Sequence, residues 1–378
     1  MRLMDLRQAV VDNIDARIAT HLQSPPGIGK SDFVEGLVAW LNKKDGKQPD
    51  GSDTWGLATC FLATFTPTDL LGYMVPTKVN NPDGSVSLAS VFTTPSWMMT
   101  KPTKEYPHGR HINTFKRGIV FLDEWSQADG DTKKAAAQLK LKGEVGPHKL
   151  HDGIAVISAG NRKDDRSGVT KEFDFVINRE QRIDIHPDFA SWEHWAVNNN
   201  VMPLTIAFAQ QNPQIVFEDK VPAEQGPWTT PRSLVAVDRL LQVKMKRNGG
   251  EIPESPEVAE QLMGIMGAGS AQYMSFIKIQ REMPKYADIV KDPAGVKVPG
   301  KPDAQMLVCY QLAHEIKNKD AAQIIEYIER LPKEFAVTFA TTACKKNMSL
   351  VSEKAFDTWA RQNSSLMAAI ALSSKQQS

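Results

Sequence analysis

Cysteine is scarce in this chain. Three residues in 378, Cys60, Cys309 and Cys344, are too few and too scattered for a disulfide framework or a zinc site. A reducing, cytosolic compartment is the expectation. Long apolar runs are missing too. The longest clean stretch, Leu366 to Leu372, is far short of a membrane span. Asp5 falls within the first residues and no apolar core follows it, so no secretory leader is expected. Net charge is nearly absent: 45 Lys+Arg stand against 44 Asp+Glu, which argues against a protein whose affinity comes from one strongly basic face. What remains is ordinary globular material. Apolar content of 41% and charge of 24% exclude a largely disordered or fibrous chain, and the length suits two to three domains.

The first half alternates apolar runs with helical patterns. Leu6, Val10, Val11 and Ile14 fall at helix spacing. Strand candidates are Ile18–Gln23, Leu57–Ala63, Gly118–Leu122, Ile154–Ser158 and Ile183–Ile185. Continuous apolar runs separated by helices suit parallel strands covered on both faces, so this half reads as an α/β layer structure. Residues 72–100 break the rhythm: Asn80-Asn81-Pro82-Asp83-Gly84 between two strand-like runs predicts a projecting hairpin. From about Asp188 strand signals stop, and helix spacing marks 190–199, 231–246, 256–266, 306–317 and 321–331. A Pro/Gly-rich basic link covers 292–302, and only the tail after Asn363 is low in complexity. The organisation expected is an α/β core over 1–187, a helical lid over 188–250 and a helical extension over 251–378.

Gly27-Ile28-Gly29-Lys30-Ser31 lies where a strand gives way to a helix. Glycines there let backbone N–H groups close around phosphate oxygens, and the helix terminus adds its dipole. Lys30 would reach the β- and γ-phosphates, and the Ser31 hydroxyl would ligate magnesium. The pattern G-x-x-x-x-G-K-[ST] departs at its first position, where Ser24 stands. A second motif, Ile119-Val120-Phe121-Leu122-Asp123-Glu124, is an apolar strand ending in two carboxylates. Asp123 suits a phosphate-bound magnesium, and Glu124 can polarise an attacking water. A third strand ends at Asn161, which could hydrogen-bond the γ-phosphate or that water. Arg179, Arg182 and Arg232 follow both phosphate motifs, and a guanidinium can stabilise charge on a transferring phosphoryl group.

This order of motifs resembles the AAA+ ATPases, and within them the MoxR-like branch. The residues that carry it are Ser24-Pro25-Pro26-Gly27-Ile28-Gly29-Lys30-Ser31, Asp69-Leu70-Leu71-Gly72, Phe121-Leu122-Asp123-Glu124, Ala159-Gly160-Asn161-Arg162, Asn178-Arg179 and Pro231-Arg232. It implies a P-loop AAA+ parallel-sheet core with a helical lid and an all-α extension. It also implies ATP and Mg2+ as cofactors, with the nucleotide held by Pro26 to Asp32 and by Arg232, and the metal by Ser31 and Asp123. Glu124 corresponds to the Walker B glutamate, Asn161 to sensor 1 and Arg232 to the sensor 2 arginine. The arginine finger stays open between Arg179 and Arg182, because Glu180 follows Arg179 where the family usually has phenylalanine. The resemblance further implies a homo-oligomeric, hexameric ring that remodels a protein client, with a von Willebrand factor A domain protein as one kind of partner. Two other readings stand beside it: a nucleic-acid motor, and a nucleotide-gated scaffold without turnover.

Some signals are set aside. His108–His111 and His148–His151 are H-x-x-H pairs in turn-rich segments without a third ligand. Lys133, Lys134, Lys140 and Lys142 read as a solvated helix face. Cys60 reads as a small core residue.

Overall fold

The computed structural model describes residues 1–165, 170, 172–363 and 368. The apolar stretch at 366–372 and the low-complexity tail fall, but for position 368, outside the described residues. Two compact units are present: Met1–Pro187 with Asp219–Val221, and Asp188–Glu218 with the chain from Pro222 onward.

In the first unit the chain runs α1 (Leu6–Ala16), β1 (Ala19–Gln23), α2 (Lys30–Asp45), β2 (Trp55–Phe61) and α3 (Pro67–Leu71). Then come β3 (Met74–Asn80), β4 (Val86–Phe92), β5 (Arg117–Asp123), α4 (Gly130–Lys142), β6 (Glu144–Val145) and β7 (His148–Lys149). It closes with β8 (Ile154–Gly160), α5 (Asp174–Ile177) and β9 (Glu180–Asp184). Five strands form one sheet in the order β2-β5-β8-β1-β9, and every pair is parallel.

The side-chain alternation of β5 shows why the sheet is covered twice. Ile119 and Phe121 join Leu6, Val10, Leu37 and Leu41 in one buried cluster. Val120 and Leu122 join Leu70, Ala136 and Leu139 in another. A period of two places successive residues on opposite faces, so a strand apolar at every position needs helices on both sides. Each such side chain contributes about 1.5–3 kcal/mol on burial. The chain leaves β1 toward β2 on one side and reaches β9 on the other. That reversal makes the carboxyl end of β1 the crevice where α/β sheets take ligands.

Two hairpins interrupt the layers. β3 and β4 pair over seven positions, from Met74 opposite Phe92 to Asn80 opposite Val86, with Tyr73, Met74 and Leu88 largely exposed. β6 and β7 make a shorter pair.

The second unit is helical throughout its described residues: α6 (Phe189–Asn198), α7 (Pro203–Gln211), α8 (Pro213–Val216), α9 (Pro231–Arg247), α10 (Pro256–Met266) and α11 (Gly269–Arg281). α12 (Tyr286–Lys291), α13 (Pro302–Glu315), α14 (Ala321–Ile328), α15 (Lys333–Lys346) and α16 (Lys354–Gln362) complete it. One hydrophobic core draws on residues from Trp192 to Ala360. Within it, Glu193 is buried and satisfied by Lys345 at 2.6 Å and by the Tyr310 hydroxyl at 2.9 Å. No helix among the described residues is long and apolar enough to cross a membrane.

The reading of the α4 lysines as a solvated face holds for Lys134 and Lys142, which are exposed, and is corrected for Lys133 and Lys140. The Lys133 and Lys140 side chains are fully buried, and each faces a carboxylate: Glu172 for Lys133 at 3.0 Å, Glu180 for Lys140. They lie seven residues apart with Ala136 and Ala137 between them, on the stripe that packs inward.

Candidate functional site

Between β1 and α2 the backbone turns through Gly27 (φ 82°) and Gly29 (φ 98°). Both sit in the left-handed region that a Cβ disfavours, so the loop needs glycine there. Phe33 N donates to Gly29 O at 2.9 Å, the first intrahelical bond of α2, so the N–H groups of Ser31 and Asp32 precede the helical ladder. Donors at a helix N-terminus, under two glycines, form a ready anion cradle.

Lys30 is buried at the mouth of this cradle. Its Nζ donates to Ser24 Oγ at 2.8 Å, Asn161 Oδ1 at 3.2 Å, Pro25 O at 3.3 Å and Ser24 O at 3.4 Å. The hydroxyl of Ser24 in turn donates to Pro25 O at 2.8 Å, so its lone pairs are left to face the ammonium. The residue that departs from the glycine pattern is therefore the lysine's shortest partner here.

The second motif meets the first through one contact. Ser31 Oγ donates to Asp123 Oδ2 at 2.6 Å, while Asp123 Oδ1 accepts from Glu124 N at 2.9 Å. A hydroxyl and a carboxylate converging in this way are hard oxygen donors of the kind magnesium takes, with further positions left for water and phosphate. Glu124, half-buried, caps a short turn with φ 55° and ψ 34°. Ser126 in that turn accepts from Asn161 N at 2.9 Å, and a Cβ on Gly160 would come within 3.0 Å of Ser126 N. Glycine at 160 thus lets the tip of β8 close against the turn that follows β5.

Lys30, Ser31, Asp123 and Asn161 are brought together, as the motifs anticipate, and Pro26, Gly27, Ile28 and Gly29 form the loop around them. Asp32 is exposed in the first turn of α2. The arginines differ. Arg179 is exposed just before β9, whereas Arg182 is bound to Glu180 at 2.8 Å and to Glu172 at 3.3 Å. Arg232 is exposed on the first turn of α9 in the second unit.

Several residues around the site escaped the motif reading. Trp125 is fully buried, and its Nε1 donates to Glu172 Oε2 at 3.0 Å. Lys140 Nζ lies 4.3 Å from the Trp125 ring centroid, and burial pushes its pKa down to about 8 against the pull of Glu180. His21 on β1 pairs with Ser158 Oγ at 2.8 Å, and burial, with Lys140 and Arg182 next, holds it neutral with a pKa well below 6.5. A run of charged residues at helical spacing on a face that also carries alanines was the signal available for Lys133 and Lys140. The second histidine pair has local work instead. His148 Nε2 meets Leu71 O at 2.9 Å, and His151 Nε2 meets Phe115 O at 2.6 Å.

No family model and no curated protein matches the chain. Among solved structures it is similar to the Thermotoga maritima RuvB Holliday junction branch migration motor, at 9% identity over 76% of this chain and 74% of that one, TM-score 0.36. It is also similar to NtrX from Brucella abortus in complex with ADP, at 13% identity over 96% and 68%, TM-score 0.36. Likeness at this level carries no argument, and the fold stands on its own observations: a five-stranded parallel sheet with a glycine loop leading from the end of β1 into α2.

Proposed function

We propose that the chain is an ATPase that hydrolyses ATP to ADP and phosphate with Mg2+, works as a homo-oligomeric ring of the AAA+ kind, and remodels a protein partner. The observation that carries this reading is the 2.6 Å contact of Ser31 with Asp123 beside Lys30 and Asn161. It joins the two phosphate motifs, 92 residues apart in sequence, across the carboxyl ends of the sheet's strands.

The residues divide the work by their chemistry. The loop N–H groups and Lys30 bind the phosphates, and Lys30 exchanges neutral oxygens for charged ones when they arrive. Ser31 and Asp123 would hold Mg2+, which when bound neutralises charge on the β- and γ-oxygens. Glu124 polarises the lytic water, and Asn161 orients it against the γ-phosphate. Arg179 is the better finger of the two candidates, because it is exposed while Arg182 is held by two carboxylates of its own chain. Arg232 is assigned to the nucleotide phosphates by the resemblance alone.

A protein partner is favoured over nucleic acid by the surfaces available. The β3–β4 hairpin exposes Tyr73, Met74, Val86 and Leu88 and carries few charges. Lys133 and Lys140 are withdrawn from any basic track along α4. The experiment is Glu124→Gln: it retains ATP at parental affinity and loses turnover by about 100-fold or more. Parental turnover in that variant sinks the assignment.

A further inference from the structure

Glu124 occupies the left-handed backbone region although it carries a Cβ. Such a conformation persists only where the surroundings over-determine it. The next residue supplies the constraint. Trp125 is fully buried, its N–H is fixed on Glu172, its ring face is covered by Lys140, and His21 meets it edge-on at 6.4 Å. Around the indole lies a chain of charges from three segments. Lys133 and Lys140 come from α4, Glu172 from the stretch before α5, and Glu180 and Arg182 from β9.

Stability alone does not account for this cluster. Three cations and two carboxylates, mostly out of water, cost desolvation that matching apolar side chains would avoid, and exchanging buried ion pairs for apolar groups is often neutral or stabilising. What the cluster does offer is direction. Apolar packing confines the indole by shape alone, whereas a hydrogen bond at its edge and a cation on its face also distinguish one ring orientation from its alternatives.

We propose that Trp125 is a positioning residue for Glu124. Its anchoring by the Lys133–Glu172–Arg182–Glu180–Lys140 cluster holds the neighbouring carboxylate in its working geometry and ties that geometry to the strand that begins one residue after Arg179. The inference rests on the reading of Glu124 as the group that polarises water.

Trp125→Phe keeps an aromatic ring under Lys140 but deletes the N–H donated to Glu172 and, with the second ring of the indole, leaves a small cavity. The double variant Lys133→Met with Glu172→Met removes one charge of each sign and keeps the volume. Three quantities are read in each: steady-state ATP turnover, affinity for a fluorescent ADP analogue, and Tm. Turnover is expected to fall about 10- to 100-fold, since small misplacements of a catalytic group cost that much, with ADP-analogue affinity unchanged within about twofold and Tm lowered but still well above the assay temperature. Turnover at the parental level in either folded variant overturns the inference and leaves the ATPase reading standing. Turnover that falls only in step with Tm in both overturns it as well, in favour of a purely structural cluster. If Trp125→Phe fails to fold, the double variant decides. A parent chain that neither binds the ADP analogue nor turns over ATP overturns the underlying reading, and the positioning role with it.

Discussion

Ser24 shows how much one side chain can alter a familiar loop. In the pattern G-x-x-x-x-G-K-[ST] a glycine at that position offers Lys30 nothing but backbone, whereas here a hydroxyl takes the lysine at 2.8 Å. Phosphate must then compete with an existing charge-assisted hydrogen bond. Ser24→Ala is accordingly expected to tighten ADP binding about 3- to 10-fold, the worth of one such bond after exchange with water. The effect should vanish in a Lys30→Met background, because it acts through the ammonium. Titration with a labelled nucleotide in the four forms of this cycle measures the coupling, and unchanged or weaker binding in Ser24→Ala counts against a held-back lysine. The same residue marks a limit of sequence reading. Serine at 24 is visible as a departure from pattern, but whether it merely fills the loop or engages the lysine depends on where its hydroxyl points.

At the level of elements, β9 carries the sharpest question. Its first residue, Glu180, is buried under Lys140, and its third, Arg182, is bound by Glu180 and Glu172. Arg179, just outside the strand, is left exposed. Arg179→Ala should therefore bind nucleotide normally and lose about 10³-fold in assembly-dependent hydrolysis. Arg182→Ala should instead lower Tm, because it strips a counter-charge from two carboxylates. If only Arg182→Ala loses hydrolysis with Tm intact, the two roles are exchanged. The strands themselves were legible: runs such as Ile119–Leu122 and Ile154–Ile157 are apolar at every position. Legibility of the second unit's helices was uneven: α13 was read although Met306 to Tyr310 are all buried, and α16, which buries one narrow face, was not. α9 was plain from its stripe of Leu234, Val237 and Leu241, while α7 was not. Six consecutive residues of α7, Leu204 to Ala209, are buried, so no 3.6-residue contrast remains to be read. Lys133 and Lys140 were misread for a related reason. Charge type was taken for exposure, and the carboxylates that make burial tolerable lie 39 and 40 residues further on.

Across the whole molecule, each unit contains a histidine, buried in one and half-buried in the other, whose surroundings favour the neutral form. In the α/β unit it is His21, with a pKa well below 6.5 through burial and the nearby Lys140, Arg182, Lys30 and Lys133. In the helical unit it is His314, pushed down to about 4 by burial and Lys346. Both folded-state values lie below the unfolded one, so below about pH 6.5 the unfolded chain binds more protons and stability falls with acidification. Each histidine should cost about 1 kcal/mol between pH 7.5 and 5.5. Urea unfolding at the two pH values tests this, and His21→Gln should flatten the loss for the α/β unit. An equally steep loss in that variant would assign the acid sensitivity elsewhere.

The position of β1 within its sheet has a consequence for biosynthesis. The strand that ends in the phosphate loop pairs on one side with β8 and on the other with β9, Gln23 facing both Gly160 and Asp184. Neither neighbour exists when β1 leaves the ribosome. At roughly 5–20 residues per second, the later partner follows after about 10–30 s. Until then Lys30 lacks Asn161, Ser31 lacks Asp123, and the glycine loop hangs from an unpaired strand. A nascent chain of this protein cannot assemble its own nucleotide site early, so nucleotide cannot serve as a template for the first steps of its folding.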